Sequence, residues 1–239
     1  MENRQTVETL AGAGATVLLC EHAGHDVPLP LQIDPRLLAS HRGYDIGIAW
    51  VTRKMAALLD GPAVLCLHSR LLCDVNRKFG QADCIPAVVD GQELPFNRAL
   101  SDDALAERRR LYDAYHRAVD RCVDASPFAQ QLISLHSFTP VLGEQRREME
   151  LGLLYDRWPE RAARLARILS DLGFIVAHNA PYSGAEGKYI YSVWRAGRRA
   201  NLPYLEIEIR QDLIADQQAA EAVAERLVEA LEKLGLNIP

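Results

Sequence analysis

The chain lacks several features that would have assigned it quickly. Nowhere in its 239 residues is there a stretch approaching the roughly 20 apolar residues of a membrane span. The opening "MENRQTVETLAGAGATVLLCEHAG" has no long apolar run preceded by basic residues, so no secretory signal is expected. The five cysteines (Cys20, Cys66, Cys73, Cys84, Cys122) are odd in number and form no CxxC pair. Cys20, Cys66, Cys73 and Cys122 sit among apolar neighbours and read as small buried hydrophobes in a reduced, cytoplasmic protein. Basic residues are outnumbered, 27 against 32 acidic ones, and a net charge of -5 disfavours nucleic acid as the main partner. The short basic runs "ERRR" (107–110) and "RAGRR" (195–199) read as solvated helix faces. There is no GxSxG elbow, repeat, low-complexity tract or Pro/Gly-rich linker, and a single domain over 1–239 is expected.

What is present is the balance of an ordinary globular protein, 49% hydrophobic and 25% charged. "TVLLC" (16–20), "AVLCL" (63–67), "QLISLH" (131–136), "MELGLLYD" (149–156), "FIVAH" (174–178) and "LPYLEIEI" (202–209) read as strands. Between them, Ile48, Val51, Met55 and Leu58 recur at helical spacing, and Asp60-Gly61 closes that helix. Ser101 introduces a second helix with an acidic first turn, as the helix dipole prefers. "ERAARLARILSDLG" (160–173) is a third, and Val223, Leu227, Leu231 and Leu234 mark one face of a last. The polar, proline-bearing stretch 78–98 reads as an exposed loop. Buried strands alternating with helices predict an α/β fold of three layers, a mostly parallel twisted sheet flanked by helices.

In such sheets ligands bind beyond the carboxyl ends of the strands. Just past those ends stand Glu21 and His22, then Asp74, Asn76 and Arg77, then His136 and Ser137, and finally Glu208 and Arg210. Imidazoles that hold zinc, a carboxylate base and arginines for an anion are the ingredients of a metal hydrolase. Each residue alone has a plainer reading. A histidine at a strand end is more often a packing residue, Glu208 could be a solvent-facing acid, and "DVNR" could be a turn.

The segment "DVNRKF" (74–79) resembles the "DLNRNF" segment of zinc carboxypeptidases and of the aspartoacylase and succinylglutamate desuccinylase group. "LHSF" and "EIRQD" (208–212) are similar to their zinc-histidine and glutamate motifs. More closely, "CEHAGHDVP", "SRLLCDVNR", "SLHSFTPV", "NAPYSG" and "LEIEIRQDLI" together resemble the N-formylglutamate amidohydrolase family over about residues 17 to 215. One departure concerns the carboxypeptidase His-x-x-Glu, whose spacing here gives His22 and His25. Asp45, in "YDIGIAW", resembles an aspartate of the amidohydrolase family and is the preferred third ligand, with His25 as the alternative.

The resemblance implies hydrolysis of a small N-acyl amino acid such as N-formylglutamate, with zinc or another divalent metal held by His22, Asp45 and His136. Glu208 then serves as general base, and Asn76 and Arg77 bind a substrate carboxylate. Arg146 and Arg210 are candidates for a second carboxylate or the oxyanion, and Asp74 for orienting Arg77. Two hydrolytic alternatives are a carboxypeptidase-like peptidase and nucleophilic catalysis by Ser137 or Cys20. A third alternative is a non-catalytic protein that binds an acidic metabolite on the same scaffold.

Overall fold

The computed structural model describes residues 5–235. Seven strands form one sheet: β1 (Val7–Leu10), β2 (Thr16–Cys20), β3 (Ala63–Cys66), β4 (Gln131–Phe138), β5 (Leu151–Leu154), β6 (Val176–His178) and β7 (Tyr204–Arg210). They lie in the order β1-β3-β2-β4-β7-β5-β6. The central four, β3, β2, β4 and β7, are mutually parallel. β1 and β5 run antiparallel to their inner neighbours β3 and β7, and β6 is parallel to β5. The expected mostly parallel sheet is present, and the edge strand β1 is an addition to it.

Five long helices cover the sheet: α1 (Ile48–Leu59), α2 (Asp102–Asp124), α3 (Pro159–Asp171), α4 (Tyr191–Ala200) and α5 (Gln217–Leu234). α2 begins as its sequence predicts, with the Ser101 hydroxyl accepting from the Ala104 N–H. Strand periodicity sorts the core into two layers. Leu18, Cys20, Ile133, Leu135, Ile207 and Ile209 face α1, α3 and α5, whereas Val17, Leu19, Leu132 and Tyr204 face α2 and α4. No described helix is long and apolar enough to cross a membrane.

The basic runs are only partly solvated. Arg109 and Arg110 are exposed, but Arg108 is buried against Asn97. In "RAGRR", Arg195 and Arg199 pair with Asp120 and tie α4 to α2. The stretch 78–98 holds a small hairpin, Val88–Val89 with Gln92–Glu93, and a 3-10 turn, Pro95–Asn97. A second hairpin joins Val141–Leu142 to Gln145–Arg146.

Candidate functional site

On the sheet face towards α2 and α4, the apolar alternation stops short of the strand ends. β4 continues from Leu132 into Ser134 and His136, and β7 continues from Tyr204 into Glu206 and Glu208. The register sets Glu206 beside Ser134 and Glu208 beside His136. All four are at most 4% exposed, so the reading of Glu208 as a solvent-facing acid is excluded. Glu21, the next residue in phase with Val17 and Leu19, joins them through the Ser134 hydroxyl, which donates to its Oε2 at 2.6 Å.

Asp45 arrives on the segment leading into α1. Its N–H donates to the His22 carbonyl at 3.0 Å. Two residues later Gly47 turns the chain at φ 83°, a conformation L side chains rarely adopt. The result is a convergence: His22 Nδ1 lies 3.4 Å and His136 Nδ1 2.8 Å from the same oxygen, Asp45 Oδ2. Ligand atoms of these three residues lie within 4.8 Å of one another. The opposite ring nitrogens are each backed by a carboxylate, His22 Nε2 by Asp74 at 2.8 Å and His136 Nε2 by Glu21 at 3.0 Å. That donor set, with carboxylates fixing both imidazoles from behind, fits a divalent metal of the zinc type. His25 is exposed, with its ring against Tyr44, and is outside the cluster. Between the two sequence alternatives the geometry favours Asp45.

Electrostatics point the same way. Burial opposes charge on Asp45 and Asp74, yet His22 and His136 together hold the Asp45 carboxyl, and His22, Arg70 and Arg77 together the Asp74 carboxyl, well below the usual range. Burial likewise works against protonating His136, but Glu206, Asp45 and Glu21 raise its pKa well above normal. The cluster therefore stabilises positive charge at its centre. Burial pushes Glu208 up to about 7 and Glu206 up to about 8, against the pull of His136.

A cavity of about 120 Å3 contains this cluster, lined by His22, Asp45, His136, Glu206, Glu208 and Arg77 among others. Both Glu206 and Glu208 reach it, although the sequence assigned a role only to Glu208. Glu206 lies 3.3 Å from His136 Nε2 and accepts from the Asn76 amide. Glu208 Oε2 is buried without a partner among the described residues. Asn76 lines the cavity, but its amide is taken up by Glu206, the Tyr189 carbonyl and the Ser192 N–H, so it positions the site.

Arg77 is held by Asp83 at its Nε and by the Asn76 carbonyl at its Nη1, over the Tyr189 ring. Asp74, expected to orient Arg77, instead contacts His22 and Arg70. Arg70 went unassigned in the sequence, and it bridges Asp45 and Asp74 with its two terminal nitrogens. Arg146 and Arg210 do not line this cavity or the wider pocket beside it. Arg146 is exposed on the second hairpin, and Arg210 donates to Asp212 and to the carbonyls of residues 147 to 149. Those carbonyls clamp the chain entering β5, so Arg210 braces the fold. The rival nucleophiles are also committed. The Ser137 hydroxyl donates to the Ile46 carbonyl, and the fully buried Cys20 thiol is pushed up to about 12 by desolvation.

A mostly parallel sheet gathers two histidines, an aspartate and two glutamates at the carboxyl-end side of its strands, an arrangement suited to a hydrolytic enzyme. The model of the N-formylglutamate amidohydrolase family matches residues 14–215, and the chain belongs to that family. Among solved structures, the gene product Atu2144 from Agrobacterium tumefaciens is 27% identical, with a TM-score of 0.89 over 97% of this chain and 95% of that one. An N-formylglutamate amidohydrolase from Ralstonia eutropha JMP134 shares the fold at 18% identity and a TM-score of 0.73, covering 96% and 97% of the two chains. Comparison with curated proteins gives no match.

Proposed function

We propose that this amidohydrolase removes the formyl group from N-formyl-L-glutamate or a similarly acidic N-acyl amino acid, in a metal-dependent reaction. The observation that carries the reading is the meeting of both histidine Nδ1 atoms at Asp45 Oδ2, inside a cavity that also holds Glu208 and Arg77. His22, Asp45 and His136 would hold the metal, which would supply Lewis acidity toward the acyl carbonyl and water.

The remaining chemistry belongs to the chain. Glu208 presents an unpaired carboxylate oxygen to the cavity. It takes a proton from the attacking water and delivers it to the amide nitrogen as the C–N bond breaks. Formate and the free amino acid leave. Arg77, fixed on two sides, offers its remaining guanidinium donors to the substrate carboxylate. Arg70 locks Asp45 and Asp74 and so fixes the donor set.

The test is metal analysis of protein purified without chelator, together with formate release from a panel of N-formyl amino acids. Stoichiometric divalent metal and chelator-sensitive release of formate from N-formylglutamate are expected. Activity that persists without metal would refute the proposal.

A further inference from the structure

Beside the inner cavity opens a wider pocket of about 330 Å3, which shares Asp45, Arg70, Arg77, Ser137 and Tyr182 with it. Its volume is at the lower end of the roughly 300–1,000 Å3 typical of small-ligand sites. A third guanidinium lines this pocket, that of Arg42. The three arginines differ in how replaceable their partners are. Arg70 is locked by Asp45 and Asp74, whose side chains are only 3% and 5% exposed. Arg77 faces Asp83, and Arg42 faces Asp90, aspartates whose side chains are 52% and 56% exposed. Arg42 is also steadied by a neutral group, the Gln92 amide oxygen, 2.7 Å from Nη1. Asp90 is on the turn of the Val88–Glu93 hairpin, where water can take over its charge at little cost.

From this arrangement we infer that Arg42 is a second carboxylate subsite: it receives the side-chain carboxylate of a dicarboxylic N-acyl amino acid whose α-carboxylate is on Arg77. The incoming carboxylate displaces Asp90, and Leu71 and Val89 in the pocket wall accompany the methylenes between the two acids. Arg42 thus takes the role that the sequence offered to Arg146 or Arg210. The inference rests on the proposed amidohydrolase activity and adds the residue that selects the acidic side chain.

N-formylglutamate and N-formylglutamine are nearly isosteric, the second replacing a charged acceptor oxygen with a neutral NH2 donor, so the ratio of their kcat/KM values reports on the subsite. The wild-type protein is expected to favour the glutamate compound, and Arg42→Gln to lower the ratio by about ten- to a hundred-fold. Asp90→Asn, which removes the resident competitor, is expected to raise it. A wild-type protein without preference, or an Arg42→Gln protein that keeps the preference, overturns the inference. If neither amide is hydrolysed by metal-loaded protein, the amidohydrolase reading fails, and calorimetric binding of glutarate still decides the subsite. Weaker glutarate binding by Arg42→Gln than by wild type supports it, and equal binding overturns it.

Discussion

Glu206 and Glu208 stand two residues apart on β7 and reach the same cavity, but their neighbours assign them different work. Glu206 is tied to Asn76 and His136, whereas Glu208 keeps a free oxygen. Glu208→Gln is expected to lower kcat by about 10² to 10⁴ while metal and substrate still bind. Glu206→Gln should instead weaken metal retention through His136, with a smaller effect on kcat measured at saturating metal. Equal kcat losses in the two variants would remove Glu208 from the role of base. A second residue outside the site reports on acid stability. His116 is buried beside Tyr112 and Tyr115, with Nε2 3.1 Å from the Val75 carbonyl, and burial lowers its pKa to about 4 from 6.5. The folded state thus binds this proton less readily than the unfolded chain. The contribution is intact above pH 6.5 and is lost as pH falls towards 4, by about 3 kcal/mol. Glu206 and Glu208, raised by burial, act in the opposite sense, so the wild-type curve alone does not isolate the histidine. Denaturant unfolding at pH 7 and pH 5 should show a smaller acid loss in His116→Gln than in wild type.

Secondary elements position these residues, and Gly47 is where one of them is most exposed to change. It caps α1 with φ 83°, and a Cβ there would meet the Ile214 carbonyl oxygen. Gly47→Ala is expected to cost about 1 to 3 kcal/mol and to displace Asp45 two residues upstream. A melting temperature lowered by several degrees together with weaker metal binding would bear this out, and unaltered metal affinity would separate Gly47 from the site. The main strands and helices were legible because their apolar periods are long and unbroken. β1 was not, since three half-buried residues and an exposed one at a sheet edge carry almost no period. α4 was read only at "RAGRR", because its opening "YSVW" is aromatic and β-branched and lacks a side-chain cap. The hairpin inside 78–98 did leave a mark, the Asp90-Gly91 pair between "VV" and "QE", which is a turn signal the loop reading passed over. Arg70 lies inside the resembling segment "SRLLCDVNR", but its role was not legible there, because it depends on Asp45 and Asp74 meeting it in space.

At the scale of the whole molecule, the parallel run of β3, β2, β4 and β7 brings His22, Asp45, Asp74, His136 and Glu208 to one edge. Strand-end positions were readable from the sequence because parallel order makes those ends coincide. Which arginines turn inward was not, because that depends on loops whose course no periodicity describes. The cost of the assembly is electrostatic. Glu21, Asp45, Asp74, Glu206 and Glu208 are all buried there, and among the permanent cations of the described residues only Arg70 contacts any of them directly. A divalent ion at His22, Asp45 and His136 offsets that excess, so it should bind the folded state far better than the unfolded chain. At a free metal concentration 100 times Kd, linkage stabilises by about 2.7 kcal/mol, or roughly 5 to 10 °C in Tm for a chain of this size. Calorimetric scans of chelator-treated protein, with and without added zinc, should show that rise. His22→Ala and His136→Ala should abolish it, and His25→Ala should retain it. A rise that survives in both His22→Ala and His136→Ala would place the metal elsewhere, and no rise in the wild type would leave the buried acids without their counter-ion.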